Sequence, residues 1–136
     1  MTWKTRVRFS LHWKGGPDPS EVERRIAVAV FQTWREGFRP VHGPVRRSNM
    51  WMVDSGVDDQ EPLGRHVDAI IAKLQPVREQ IVALMAEYSI EAELALILFY
   101  DPELDSIPGV HLDSRSLSFF SAMGAELDID IMHMEG

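Results

Sequence analysis

The stretch Trp3-Lys4-Thr5-Arg6-Val7-Arg8-Phe9-Ser10-Leu11-His12-Trp13-Lys14 decides the fold. Its odd positions carry the apolar residues Trp3, Val7, Phe9, Leu11 and Trp13, with Thr5 among them. Its even positions are Lys4, Arg6, Arg8, Ser10, His12 and Lys14. Successive side chains of an extended chain point to opposite faces, so this alternation predicts a strand with one buried face and one wet face. Gly15, Gly16 and Pro17 end it. A half-wet strand needs cover on one side only, which predicts a sheet with helices on a single face.

The far end of the chain repeats the pattern with the opposite charge. Ala125, Leu127, Ile129 and Ile131 take one face, and Glu126, Asp128 and Asp130 take the other. Between the two ends, Asp18-Pro19-Ser20-Glu21 carries helix-start chemistry: a capping carboxylate, a proline at the first helical position and a glutamate in the first turn. A short helix is expected over about 19–27. Val28–Trp34 is rich in β-branched and aromatic residues and predicts a strand over about 28–36, while Asn49, Trp51 and Val53 on one face and Met50 and Met52 on the other predict a second over about 47–54; a long connection joins them into a β-hairpin. Leu63, Val67, Ile70, Ile71 and Leu74 follow helical spacing. Pro76 interrupts, and Val77, Ile81, Leu84, Met85 and Tyr88 resume it. Ile90–Tyr100 reads as a central strand buried on both faces. Ser114 is positioned to cap a last helix, which Gly124 stops.

The succession predicts one α+β domain over residues 1–136. Its expected core is a ferredoxin-like mixed or antiparallel sheet, with helices packed on one face and a β-hairpin insertion. In that arrangement the first and last strands are neighbours. Lys4, Arg6 and Arg8 would then face Glu126, Asp128 and Asp130 across one ladder.

Composition bounds the function. The 136 residues include no cysteine, which excludes a thiolate nucleophile and any Cys-ligated metal site and fits a cytoplasmic setting. Met1–Lys14 lacks the apolar run of a signal peptide, and Leu94–Tyr100 is too short to span a bilayer, so no membrane association is expected. The net charge of −7 is unevenly spread. Residues 1–47 hold ten Lys/Arg against four Asp/Glu, and residues 48–136 hold four against seventeen. The acidic balance argues against general nucleic-acid binding.

The residues of several segments together resemble a known family. These are Asp18-Pro19-Ser20-Glu21, Trp34-Arg35-Glu36-Gly37, Asn49-Met50-Trp51, Leu74-Gln75-Pro76, Gly109-Val110-His111-Leu112, and Gly124 through Ile131. The chain is similar to DUF4279, a bacterial domain family of unknown function. The resemblance implies a shared α+β fold and a bacterial source. It implies no reaction, cofactor or catalytic residue.

No motif for phosphate binding, zinc or a nucleophile elbow is present, and neither a cofactor nor a metal is expected. Asp101, Glu103 and Asp105 have the spacing of calcium ligands, but Ser106 and Leu112 stand where a tight-turn glycine and a bidentate glutamate belong; a turn is the better reading. The region richest in recognition chemistry is the hairpin and its loop. Trp34, Arg35, Arg39, His42, Arg46, Arg47 and Trp51 place aromatics beside guanidinium groups, which can hold an anionic or aromatic ligand. Core packing is the competing role for Trp51.

The leading functional reading is a non-enzymatic binding module for another protein, of immunity type or regulatory. The alternative is a small-molecule binder, taking for example a small anionic ligand, or a minor enzyme, with a cleft between the sheet and the 34–51 hairpin. A third reading is homodimerisation through a strand edge or through Met132 and Met134.

Overall fold

The computed structural model describes residues 3–106 and 108–134. The chain forms β1 (Lys4–Trp13), α1 (Pro19–Arg25), β2 (Gln32–Trp34), β3 (Asn49–Asp54), α2 (Leu63–Leu74), α3 (Arg78–Glu87), β4 (Glu91–Tyr100), α4 (Ser114–Ala122) and β5 (Glu126–His133). A 3₁₀ turn, Gln75–Val77, joins α2 to α3. It sits where Pro76 removes a helical donor.

One five-stranded sheet runs in the order β2-β3-β1-β4-β5. All neighbours are antiparallel except β4 and β5. The chain makes that parallel connection through α4, as a parallel pair requires a crossover. The helices pack on one face. Val7, Phe9 and Leu11 from β1, Trp51 and Val53 from β3, and Leu94 and Leu96 from β4 meet Val22, Ile70, Leu74, Ile81, Leu84 and Phe120 there. Each fully buried side chain of this size contributes about 1.5–3 kcal/mol.

The helix ends follow local chemistry. Asp18 accepts from the Ser20 amide at 2.9 Å and caps α1. At α4 the cap is Asp113, which accepts from the Ser116 amide at 2.8 Å, and Ser114 is the first helical residue instead. The carboxylate one position earlier reaches the free amides that the hydroxyl was expected to serve. Gly124 follows α4 with φ +75°, a conformation that suits glycine at a helix end.

The sheet corrects three expectations. β1 does not neighbour β5. It pairs with β3 and β4, so Arg6 lies opposite Ile97 and Arg8 opposite Ala95. Alternation encodes which face a residue takes, but not which strand lies beside it. β4 is buried on its helix-facing side only. Its other residues, from Glu93 to Phe99, are half-buried because no helix covers that face. The hairpin is no insertion: β3 pairs with β1, and β2 forms one edge of the sheet. β2 spans three residues, since Val28 and Val30 pack on the core from irregular chain.

Candidate functional site

The hairpin loop is folded upon itself. The Gly37 amide donates to the Arg46 carbonyl, and the Arg46 amide donates to the Phe38 carbonyl, each at 2.8 Å. Asn49 ties the loop to the end of β1: its Oδ1 accepts from the Glu36 amide and its Nδ2 donates to the Gly15 carbonyl. The recognition residues of this region have separate fates. Trp51 is fully buried in the core beneath the helices. Trp34 is half-buried under the Arg46 guanidinium, whose carbon lies 3.9 Å from the ring centroid. Arg35 pairs with Asp18 at 3.1 Å. Asp18 is held below the usual carboxylate range, first by the Ser20 amide and hydroxyl and then by Arg35. Arg39, His42 and Arg47 are exposed on the loop. A cavity of about 280 Å³ between α1 and β2 is lined by Asp18, Glu23, Trp34, Arg35 and Phe38. It gathers two of the seven residues, and the cation it contains already has a carboxylate partner.

The opposite edge of the sheet is built differently. All eight residues of β5 are exposed. In the parallel register Leu127 lies beside Leu94, Ile129 beside Leu96 and Ile131 beside Leu98. The three aliphatics therefore continue the helix-covered face past the point where its cover stops. They remain 46%, 42% and 44% exposed, whereas their neighbours on β4 are buried. A cavity of about 340 Å³ between α4 and β5, lined by Leu94, Leu112, Leu117, Phe120 and Leu127, opens beside the start of this row.

The other face of β5 carries Glu126, Asp128 and Asp130. Glu126 lies directly opposite Glu93 of β4. Burial, followed by the charges of Asp128, Glu126 and Asp130, raises the Glu93 pKa. The cations of β1 turn elsewhere: Arg6 pairs with Asp59 and Arg8 with Asp54, each at 3.3 Å. Among the described residues no ion pair reaches the three acids of β5.

The family model described as "Domain of unknown function (DUF4279)" matches residues 4–134. The chain belongs to the DUF4279 family. No curated protein and no solved structure gives a significant match.

Two serine–histidine contacts in this DUF4279 domain went unnoticed in the sequence. Ser55 Oγ lies 2.6 Å from His66 Nδ1, and Ser10 Oγ lies 2.8 Å from His12 Nε2. Ser55 and His66 are 4% and 1% exposed, and among the described residues His66 Nε2 has no hydrogen-bond partner. A catalytic pair needs a reachable nucleophile, and both serines are buried. Ser55, in the loop after β3, and His66, in α2, stand eleven residues apart, a separation with no spacing signal. His12 lies opposite Glu91; burial lowers its pKa and Glu91 acts against that shift. Asp101 and Asp105 cap their own turn, with the Asp101 amide donating to Asp105 Oδ2. Among the described residues no group of three or more His, Asp or Glu is arranged to hold a metal ion. Among the described residues no helix is long and apolar enough to cross a membrane.

Proposed function

We propose that this DUF4279 domain is a non-enzymatic protein-interaction module whose working surface is the β5 edge. The observation that carries the reading is a strand of eight exposed residues with an aliphatic row left uncovered at the sheet's end. Natural proteins blunt free edges because the unpaired backbone groups template pairing with another chain, and a long bare edge marks a site that uses this property. The burial of Ser10, Ser55 and His66 supports a role without catalysis. The order β2-β3-β1-β4, with helices joining β1 to β2 and β3 to β4, supports a ferredoxin-like unit to which β5 is appended.

A second reading places a small anionic ligand in the cavity lined by Trp34, Arg35 and Phe38. It requires Arg35 to exchange Asp18 for the ligand. The two readings separate by mutation. Affinity capture with the wild-type chain, followed by reconstitution with the purified partner, should give a complex that survives Arg46→Glu with Arg47→Glu. Leu127→Lys with Ile131→Lys should abolish it. A complex that survives the β5 changes and is lost on the loop changes would overturn the β5 reading.

A further inference from the structure

Resting on that reading of β5, we infer that the edge takes an extended segment of another polypeptide in which aliphatic residues alternate with lysine or arginine. An added strand presents alternate side chains to the two faces of the sheet it joins. On one face it meets Leu127, Ile129 and Ile131; on the other it meets Glu126, Asp128 and Asp130, backed by Glu93. Aliphatic residues opposite the first row and cations opposite the second satisfy both faces in a single register. Burial is the main cause of the raised Glu93 pKa, and the charges of Asp128, Glu126 and Asp130, which a cationic row would offset, add to it. The cavity between α4 and β5 gives one apolar side chain of the segment a seat beside Leu127. Eight residues of strand span about 26 Å, enough to fix the register of a segment of similar length.

A second copy of this chain does not fit. Two β5 edges related by a two-fold axis normal to the sheet run antiparallel, and directly opposed residues then share a face; a two-fold along the strands runs them parallel with the faces exchanged, which sets acids against aliphatics. With Ile129 opposite itself, Asp128 lies opposite Asp130 twice, and like charges directly opposed are destabilising. A two-residue slip either way keeps acid against acid. A one-residue slip sets acids against aliphatics. The acidic row thus excludes the domain's own copies and admits a basic strand, so the two rows together supply repulsion as well as attraction.

The test uses the full chain and three labelled peptides of ten residues: alternating valine–lysine, valine–glutamine and valine–glutamate. Fluorescence anisotropy should show the lysine peptide binding at least tenfold more tightly than the glutamate peptide, and more weakly as salt rises. Asp128→Asn with Asp130→Asn should weaken it at least tenfold. Equal binding of the lysine and glutamate peptides, or lysine-peptide binding indifferent to those two substitutions, would overturn the inference. So would a concentration-dependent dimer of the chain alone, detected by sedimentation and lost on Leu127→Lys with Ile131→Lys. If partner capture depends on β5 while the peptides show no charge preference, the interaction surface stands and the partner chemistry falls. Capture indifferent to β5 removes both.

Discussion

The sheet ends in two ways. At one side stands β2, three residues long, tied to α1 by the Arg35–Asp18 pair and flanked by the Arg46 guanidinium stacked on Trp34. At the other stands β5, eight residues long and exposed throughout. The β2 edge has two of the devices by which proteins protect an edge: brevity and flanking charge. The β5 edge has charge on one face only and leaves an aliphatic row on the other. The cationic loop draws the eye in the sequence, but much of its chemistry is engaged within the domain, and the more available surface is the acidic strand.

The largest effects should come from residues near each edge that belong to the core. Trp51→Ala should cost about 3–5 kcal/mol in denaturant unfolding, as expected for a buried aromatic. Trp34→Ala, which removes mainly the Arg46 stack, should cost about 1 kcal/mol. A similar loss for both would erase the distinction between core and edge on the β2 side. The matching pair on the β5 side is Leu96 and Ile129, neighbours on one face of which only Leu96 is fully buried. Leu96→Ala should cost about 2–5 kcal/mol, and Ile129→Ala less than about 1 kcal/mol. An Ile129 effect equal to that of Leu96 would mean that β5 is covered in solution.

Charge changes should be smaller. A carboxyl whose pKa is raised on folding favours the native state below its unfolded pKa, and that contribution is lost as pH rises through the native value. Burial and the β5 acids raise Glu93 in this way. Solvent around the half-buried Glu93 screens these charges, so Glu93→Gln should stabilise the domain at neutral pH only slightly, by at most about 0.5 kcal/mol. The gain should disappear as pH falls below the ordinary glutamate range, which thermal unfolding at several pH values would reveal. The smallest effect belongs to the β2 edge. Arg35→Gln breaks an exposed pair and should change the melting temperature least of all, in thermal unfolding at low salt.

Much of this was legible in the sequence. The alternation from Trp3 to Lys14 gave β1 and its buried face. Asp18 and Gly124 marked helix ends because capping chemistry is local. The alternation from Ala125 to Ile131 gave the two rows of β5. Its position was not legible, because parity assigns faces but strand order depends on long-range packing. The expected neighbourhood of Lys4, Arg6 and Arg8 with the acids of β5 failed for this reason: β4 lies between, with Ala95 in register with both Arg8 and Asp128. Trp51 and Trp34 both stood among the candidate binding residues, with core packing as the competing role for Trp51. Only the pairing of Thr33 with Trp51 and of Trp34 with Met50 separates them, since adjacent positions face opposite sides. The contact between Ser55 and His66 left no local trace at all.

The most direct measurement is amide hydrogen exchange of the full chain, residue by residue, with and without the alternating valine–lysine peptide. Slower exchange is expected at outward-facing amides of β5 between Leu127 and Ile131, with β2 and the 35–48 loop unchanged. Protection confined to that loop, or none anywhere at peptide concentrations that saturate the anisotropy signal, would contradict it.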